Sequence, residues 1–264
     1  MNAHYDAHIQ HLYVITGASK GMGLEMALQL LSPQHQVLCI SRTASTELAL
    51  AADRAGAYLT QWCENLADPV TVAQRLAAWL VTMDRSHLRS ATLINNAGTL
   101  GAMAPLQTVA PATITQAVMV GLVAPLQLTA SFLQATGDWT SVRKVLNISS
   151  GMSQRAMAGA ALYGAAKAGM DQFSRCVALD EVRRSLGAHI VSLAPGVIDT
   201  DMQRELRNGD DVLFPDKARY IQLQATGALT SPTEAARQVL AYLHHAEFGT
   251  ESVVNIVQKR DLLT

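Results

Sequence analysis

Charge is scarce in this 264-residue chain. Lys, Arg, Asp and Glu make up 16% of it and the formal net charge is −1. That balance leaves no basic stripe for a nucleic-acid backbone and no cationic face for an anionic membrane. Aromatic residues amount to 5%, so a core must be built from aliphatic side chains. Cysteine is limited to Cys39, Cys63 and Cys176. Their number is odd and no Cys-x-x-Cys occurs, which excludes a disulfide framework, a zinc ribbon and a dithiol redox centre and suits a reducing compartment. No continuous apolar run approaches the roughly 18 residues of a membrane span, and the opening 1–11 is too polar for a signal peptide. The expectation is a soluble, cytoplasmic protein with a small-molecule partner. His4, His8 and His11 in that opening are spaced to grip a metal only if helical; a flexible leader and no metal is the expected reading.

What the chain has instead is 49% hydrophobic residues, many of them alanine, the composition of helices packed on a buried sheet. Short β-prone runs at 12–15, 37–40, 57–62, 91–94, 145–148, 189–194 and 252–257 alternate with helical patterns at 24–31, 45–55, 69–83, 113–135, from 163 onward, and 232–244. Asp68 reads as an N-cap with Pro69 in the first helical position. Such alternation means βαβ units, right-handed crossovers and one doubly wound parallel α/β sheet of about seven strands with helices on both faces, without an internal linker. The run 113–135 reads as one long uncharged helix whose surface is expected to be covered in a homo-oligomer.

Three stretches carry chemistry. The first strand meets Thr16-Gly17-Ala-Ser19-Lys20-Gly21-Met22-Gly23, a turn that frees the first N–H groups of a helix for an anion while the glycines let backbone approach a pyrophosphate. The spacing Gly-x-x-x-Gly-x-Gly differs from Gly-x-Gly-x-x-Gly, and the Gly-Lys-Ser/Thr of a nucleotide-hydrolase loop is missing. A tight turn without a ligand is the plain alternative. Second, the strand ending at 40 runs into Ser41 and Arg42 with no carboxylate, and Lys20 is near. Two cations and a hydroxyl favour the 2′-phosphate of NADP(H) over NAD(H); a solvated strand end is the alternative. Third, Tyr163 and Lys167 stand four residues apart, so both side chains leave one face of a helix. A fixed ammonium favours the phenolate, bringing a general acid toward neutral pH.

Together these stretches resemble the short-chain dehydrogenase/reductase family over essentially the whole chain. The matches are Thr-Gly-x-x-x-Gly-x-Gly at 16–23, Asn-Asn-Ala-Gly at 95–98, a serine after strand five, Tyr-x-x-x-Lys at 163–167, and Pro195-Gly196 with Thr200. The resemblance implies a single-domain Rossmann-like fold. It implies that Ser150, rather than Ser149, holds the substrate carbonyl, that Tyr163 donates the proton, and that Lys167 depresses the phenol pKa and binds the nicotinamide ribose. Gly17, Ser19, Lys20, Gly21, Met22 and Gly23 would cradle the pyrophosphate, with Asn65 and Leu66 beside the adenine. Asn96, Ala97 and Gly98 would flank the adenosine, Ile198 and Thr200 would hold the carboxamide, and Pro195 and Gly196 would also contact the cofactor. A homodimer or homotetramer through the helices near 113–135 and 160–185 is implied as well.

Within the family, Pro195–Gln203 and the ending around Glu247-Phe248 and Val254-Asn255 look most like the sepiapterin reductase and benzil reductase branch, whose members are NADPH-dependent. Three departures stand out. Gly121 falls where the family places an asparagine that supports a water relay to the lysine. Asn65-Leu66 replaces Asp-Leu. Asn255 replaces the carboxylate that anchors a pterin, which turns the reading away from sepiapterin. The expected activity is reduction of a ketone or vicinal diketone, with 199–230 as a lid and Met152, Met157 and Met202 as pocket walls or simple packing. A cofactor-binding regulator or scaffold of the same fold with weak catalysis is the alternative, resting on Gly121. Serine hydrolysis lacks its Gly-x-Ser-x-Gly elbow.

Overall fold

Seven aliphatic runs form one sheet in the computed structural model, which describes residues 9–262. The strands are β1 (His11–Thr16), β2 (His35–Ser41), β3 (Tyr58–Cys63), β4 (Ser90–Asn95), β5 (Val142–Ile148), β6 (His189–Ala194) and β7 (Val253–Asn255). The helices are α1 (Gly21–Gln29), α2 (Thr46–Ala55), α3 (Pro69–Val81), α4 (Pro111–Val118), α5 (Ala124–Ala135), α6 (Ala161–Glu181), α7 (Asp201–Asn208), α8 (Lys217–Ala225) and α9 (Pro232–His244). All pairings are parallel, in the order β3-β2-β1-β4-β5-β6-β7. Central strands are buried along nearly their whole length because helices cover both faces, hence their continuous apolar runs. Alternation survives in the layer each side chain joins. Tyr13 and Ile15 pack with Met26, Val239 and Leu243, whereas Leu12 and Val14 pack with Leu76, Leu128 and Phe132 on the opposite face.

The strand order reverses between β1 and β4, so the loops leaving their C-terminal ends diverge and open a crevice there. Every chemically suggestive stretch of the sequence lies at that edge. The fold agrees with the doubly wound expectation, and several boundaries differ. The first helix begins at Gly21, not 24, so the last two glycines of the turn are already helical. The last strand is shorter than 252–257 and gives way to a 3-10 turn at Ile256–Leu262. Asp68 stands at the N-cap of α3 ahead of Pro69, but its side chain makes no capping bond. His11 opens β1 instead of belonging to a leader, and its ring bonds Ser90 Oγ at 2.8 Å; His4 and His8 lie outside the described residues. The stretch after 199 holds two short helices, α7 and α8, where no helix was expected.

The stretch 113–135 is not one uniform helix. α4 starts two residues earlier, and between it and α5 lies a π-turn, Met119–Val123, with Gly121 buried inside it. Pro125 sits in the first turn of α5, where a missing N–H is tolerated. Pro111–Ala135 spans 25 residues and contains an 18-residue window with a mean hydropathy of 1.5. By length and composition alone it could cross a bilayer, an exception to the expectation from continuous runs. Its inner side, however, is laid against α3 and α6.

Gly121 fits because a Cβ there would lie 3.0 Å from the Ala166 Cβ on α6, tighter than two carbons pack comfortably. Alanine is the better helix former by about 1 kcal/mol, yet overpacking costs about 1–3 kcal/mol. Gly121→Ala is therefore expected to lower stability by about 1 kcal/mol, read as a lower urea midpoint with an unchanged slope; an equal or higher midpoint would show that the two helices separate freely.

Candidate active site

Gly17 (φ +70°) and Gly21 (φ +59°) carry the turn after β1 through left-handed backbone that a side chain resists. Gly23 packs so closely on the Gly17 carbonyl and the Asn96 side chain that a Cβ has no space. The turn is fastened from the neighbouring strand. Asn96 Nδ2 donates to the carbonyls of Thr16 and Gly17 at 3.0 and 3.2 Å, and Thr16 Oγ1 accepts the N–H groups of Asn96 and Ala97, each at 3.0 Å. Lys20 occupies the N-cap position of α1 without a capping side chain, and the first turn holds no acidic residue. Backbone N–H groups at this helix start are free to meet an anion, so the donor set fits a pyrophosphate. Ser19 is half-buried beside them, and Met22 turns its side chain into the core.

At the end of β2, Ser41 Oγ is buried with no hydrogen-bond partner, and Arg42 is exposed with no ion pair among the described residues. An orphaned hydroxyl beside an unpaired cation fits a phosphate bearing several acceptor oxygens. Lys20, also expected there, is paired at 2.6 Å with Asp201 at the start of α7, both side chains well exposed. Asn65 is exposed and its side chain caps its own turn through Ala67 N at 3.0 Å, whereas Leu66 is buried in the core. Gly98 lies near Lys167: a Cβ on it would be 3.6 Å from Nζ. Across the crevice Pro195 is buried, Gly196 takes φ +89°, Ile198 bridges to Thr230, and Thr200 sits against Gly21.

The end of β5 and the first turns of α6 bring the expected trio together. Ser150 precedes a 3-10 turn and its Oγ accepts the Met152 N–H at 3.2 Å. The Ser150 hydroxyl lies close enough to the Tyr163 phenol to favour its ionised form. Ser149 Oγ is buried and unpartnered. Lys167 is 3% exposed; its Nζ donates to the Ile148 carbonyl at 2.6 Å and lies 5.6 Å from the centre of the Tyr163 ring.

Electrostatics differ from the simple expectation of a phenol depressed by Lys167. Burial pushes the Tyr163 phenol up to about 12; the neighbouring Ser150 hydroxyl opposes that and the nearby Tyr220 adds to it. Burial likewise pulls the Lys167 ammonium down to about 8, with Asp171 acting upward. In a site this dry, removing water costs each charged form more than these neighbours return.

Above Tyr163, Leu206, Phe214 and Tyr220 form an apolar wall with Met152, Met157 and Met202 against it, so those thioethers belong to one cluster over the phenol. Other polar residues around the site were not singled out from the sequence. Asn95 Nδ2 donates to Asn147 Oδ1 at 2.8 Å and Thr129 Oγ1 at 3.1 Å, and Asn147 Nδ2 donates to Ser174 Oγ at 2.9 Å. This buried chain ties β4, β5, α5 and α6 at the level of the site. Asp171 is also buried and accepts from Ser192 Oγ at 2.6 Å. A signal existed for Asp171, a lone carboxylate one turn beyond Lys167 in an apolar helical stretch.

A doubly wound sheet with a glycine turn at its reversal point and a Ser–Tyr–Lys cluster beside it defines a dinucleotide-dependent oxidoreductase. The chain belongs to the short-chain dehydrogenase family, whose model matches residues 11–211. It is 33% identical over 243 residues to a benzil reductase ((S)-benzoin forming) of Bacillus cereus, covering 92% of this chain and 98% of that protein. It is 31% identical over 253 residues to the sepiapterin reductase of Meriones unguiculatus, covering 92% and 94%. A metagenomic short-chain oxidoreductase in complex with NADP superposes with a TM-score of 0.67 at 22% identity, covering 95% and 96%, a likeness of fold.

Gly23→Ala should force the turn away from Asn96 and cost at least about 2 kcal/mol. Thermal unfolding should show the loss, and NADPH-fluorescence titration should show binding weakened at least tenfold; unchanged titration would detach the turn from the nucleotide.

Proposed function

We propose that this protein is an NADPH-dependent reductase that converts a ketone or vicinal diketone to an alcohol, with Tyr163 as general acid. The observation that carries this reading is the meeting of three groups at one place: the Ser150 hydroxyl close enough to the Tyr163 phenol to favour its ionised form, and the Lys167 ammonium 5.6 Å from the centre of the phenol ring. Two hydroxyls this near one another can both address a carbonyl oxygen placed between them. The cofactor, when bound, supplies the hydride. Ser150 orients the carbonyl oxygen, Tyr163 delivers the proton to the alkoxide that develops on it, and Lys167 supports the phenol's charge while holding the end of β5 through the Ile148 carbonyl. Acid catalysis of this kind is worth on the order of 10²–10⁴ in rate.

The aromatic and thioether wall favours flat or bulky apolar carbonyls, since thioethers adapt to varied shapes. The names of the relatives support a diketone. Asn255 supports the choice away from a pterin: its neutral Oδ1 is engaged by the Val257 N–H at 3.1 Å. Preference for NADPH rests on the partnerless Ser41 hydroxyl and on Arg42, with Lys20 free to exchange Asp201 for a phosphate across solvent. A homodimer or homotetramer through the α4–α5 and α6 faces is part of the same proposal.

Loss of NADPH absorbance across a panel of aryl diketones and quinones tests the activity, and a flat trace would favour the regulatory reading. Tyr163→Phe should lower kcat by about 10²–10⁴ with NADPH binding little changed; retained turnover would remove Tyr163 from the chemistry. Arg42→Ala should raise the Kd for NADPH about tenfold while leaving NADH nearly untouched. As pH rises through about 8 the Lys167 ammonium loses its proton. Since the protonated form is the supportive one, kcat/KM should decline on the alkaline side of that value.

A further inference from the structure

Lys167 is an ammonium with little protein support. It is buried to 3% exposure, has a single hydrogen-bond partner among the described residues, the Ile148 carbonyl at 2.6 Å, and makes no ion pair. The helix that faces it across α6 has no side chain to give, because Gly121 lies in the π-turn with its backbone pressed toward Ala166. A second buried charge lies one turn further along α6. Asp171 is also 3% exposed and four residues from Lys167, so the two side chains share a face of the helix. It makes no ion pair among the described residues, and its one hydrogen bond is from Ser192 Oγ on β6 at 2.6 Å. With Ser149, Gln154 and Asn255, all neutral, Asp171 lines a cavity of about 10 Å³ between the 3-10 turn after Ser150, β6 and β7. Two isolated opposite charges in a dry interior act on one another strongly even without contact.

We propose that Asp171 is a positioning residue for the reaction, its carboxylate clamped by Ser192 so that it sustains the Lys167 ammonium from the side opposite Tyr163. The inference rests on the reductase reading of the site and adds a residue to it. Charge that a polar side chain at position 121 would help to organise is here organised from within α6. The groups facing Lys167 are few: Tyr163 and Asp171 on its own helix, the Ile148 carbonyl of β5, and Gly98 after β4. Asp171 is the only charged side chain acting on it among the described residues.

Asp171→Asn keeps the shape and an acceptor for Ser192 while removing the charge. The alkaline limb of kcat/KM is expected to move down by about one pH unit, and kcat at pH 8 to fall roughly fivefold. NADPH affinity at pH 6.5 and the thermal midpoint should stay close to those of the parent protein. Ser192→Ala, which leaves the carboxylate but frees it, should move the limb the same way by less, and serves if the Asn variant folds poorly. Titration of the Lys167 ε-carbon by NMR in ¹³C-lysine protein, which has five lysines to assign, reads the same coupling without turnover. An unchanged Lys167 titration in both variants would overturn the proposal. If the parent protein turned over no carbonyl, the reductase reading would fall, while the NMR titration would still decide whether Asp171 sustains Lys167.

Discussion

The bond from Lys167 Nζ to the Ile148 carbonyl, 2.6 Å long and shut away from water, is the constraint on which the rest of the site depends. It fastens the helix that carries Tyr163 to the strand end that presents Ser150. A charge-assisted hydrogen bond is stronger than a neutral one, and more so where no water competes. Lys167 therefore has a structural and an electrostatic role at once, and the dryness that strengthens the first weakens the second by pulling the ammonium down to about 8.

Around that bond the sheet supplies a rigid frame. The Asn95–Asn147–Ser174 chain joins two strands to α6, and Asn96 pins the glycine turn to the loop after β4. Both halves of the site, the phosphate-facing turn and the hydroxyl pair, are thus referenced to the same two central strands. In the Asn95–Asn147–Ser174 chain the amide donors are paired while Asn95 Oδ1 is buried without a partner, and paired buried donors fix one arrangement, because any slip strands them in apolar surroundings. The wall above Tyr163 is made differently. It comes from α7, α8 and the loop after β5, whose outer residues are polar or exposed, and its adaptable thioethers meet a ring pair, Phe214 and Tyr220, at 5.7 Å.

What could be read from the sequence follows from what kind of constraint acts. Strand runs and the glycine turn were legible because burial on both faces and close backbone approach leave few residue choices. Tyr163 and Lys167 were legible because helical spacing alone puts them on one face. The π-turn was not, since Gly121 and Pro125 look like ordinary interruptions until α6 is seen pressed against them. Helices α7 and α8 were missed because they are short, and α7 is dominated by charged and amide side chains. The Asn95–Asn147 pairing was hidden for a further reason: it depends on register between strands far apart in sequence. The raised phenol was likewise invisible, because spacing tells of a neighbouring charge and nothing of how much water is gone.

The π-turn has a consequence for the whole layer it belongs to. An α-helical turn advances about 100° per residue, so the wider turn at Met119–Val123 shifts the rotational phase of everything that follows. Leu128 and Phe132, both fully buried against the sheet, follow that turn in the chain. Rewinding Met119–Val123 as regular α-helix with no residue removed would swing these two side chains about a quarter-turn off the sheet and bring polar neighbours, such as Gln127, round toward the core.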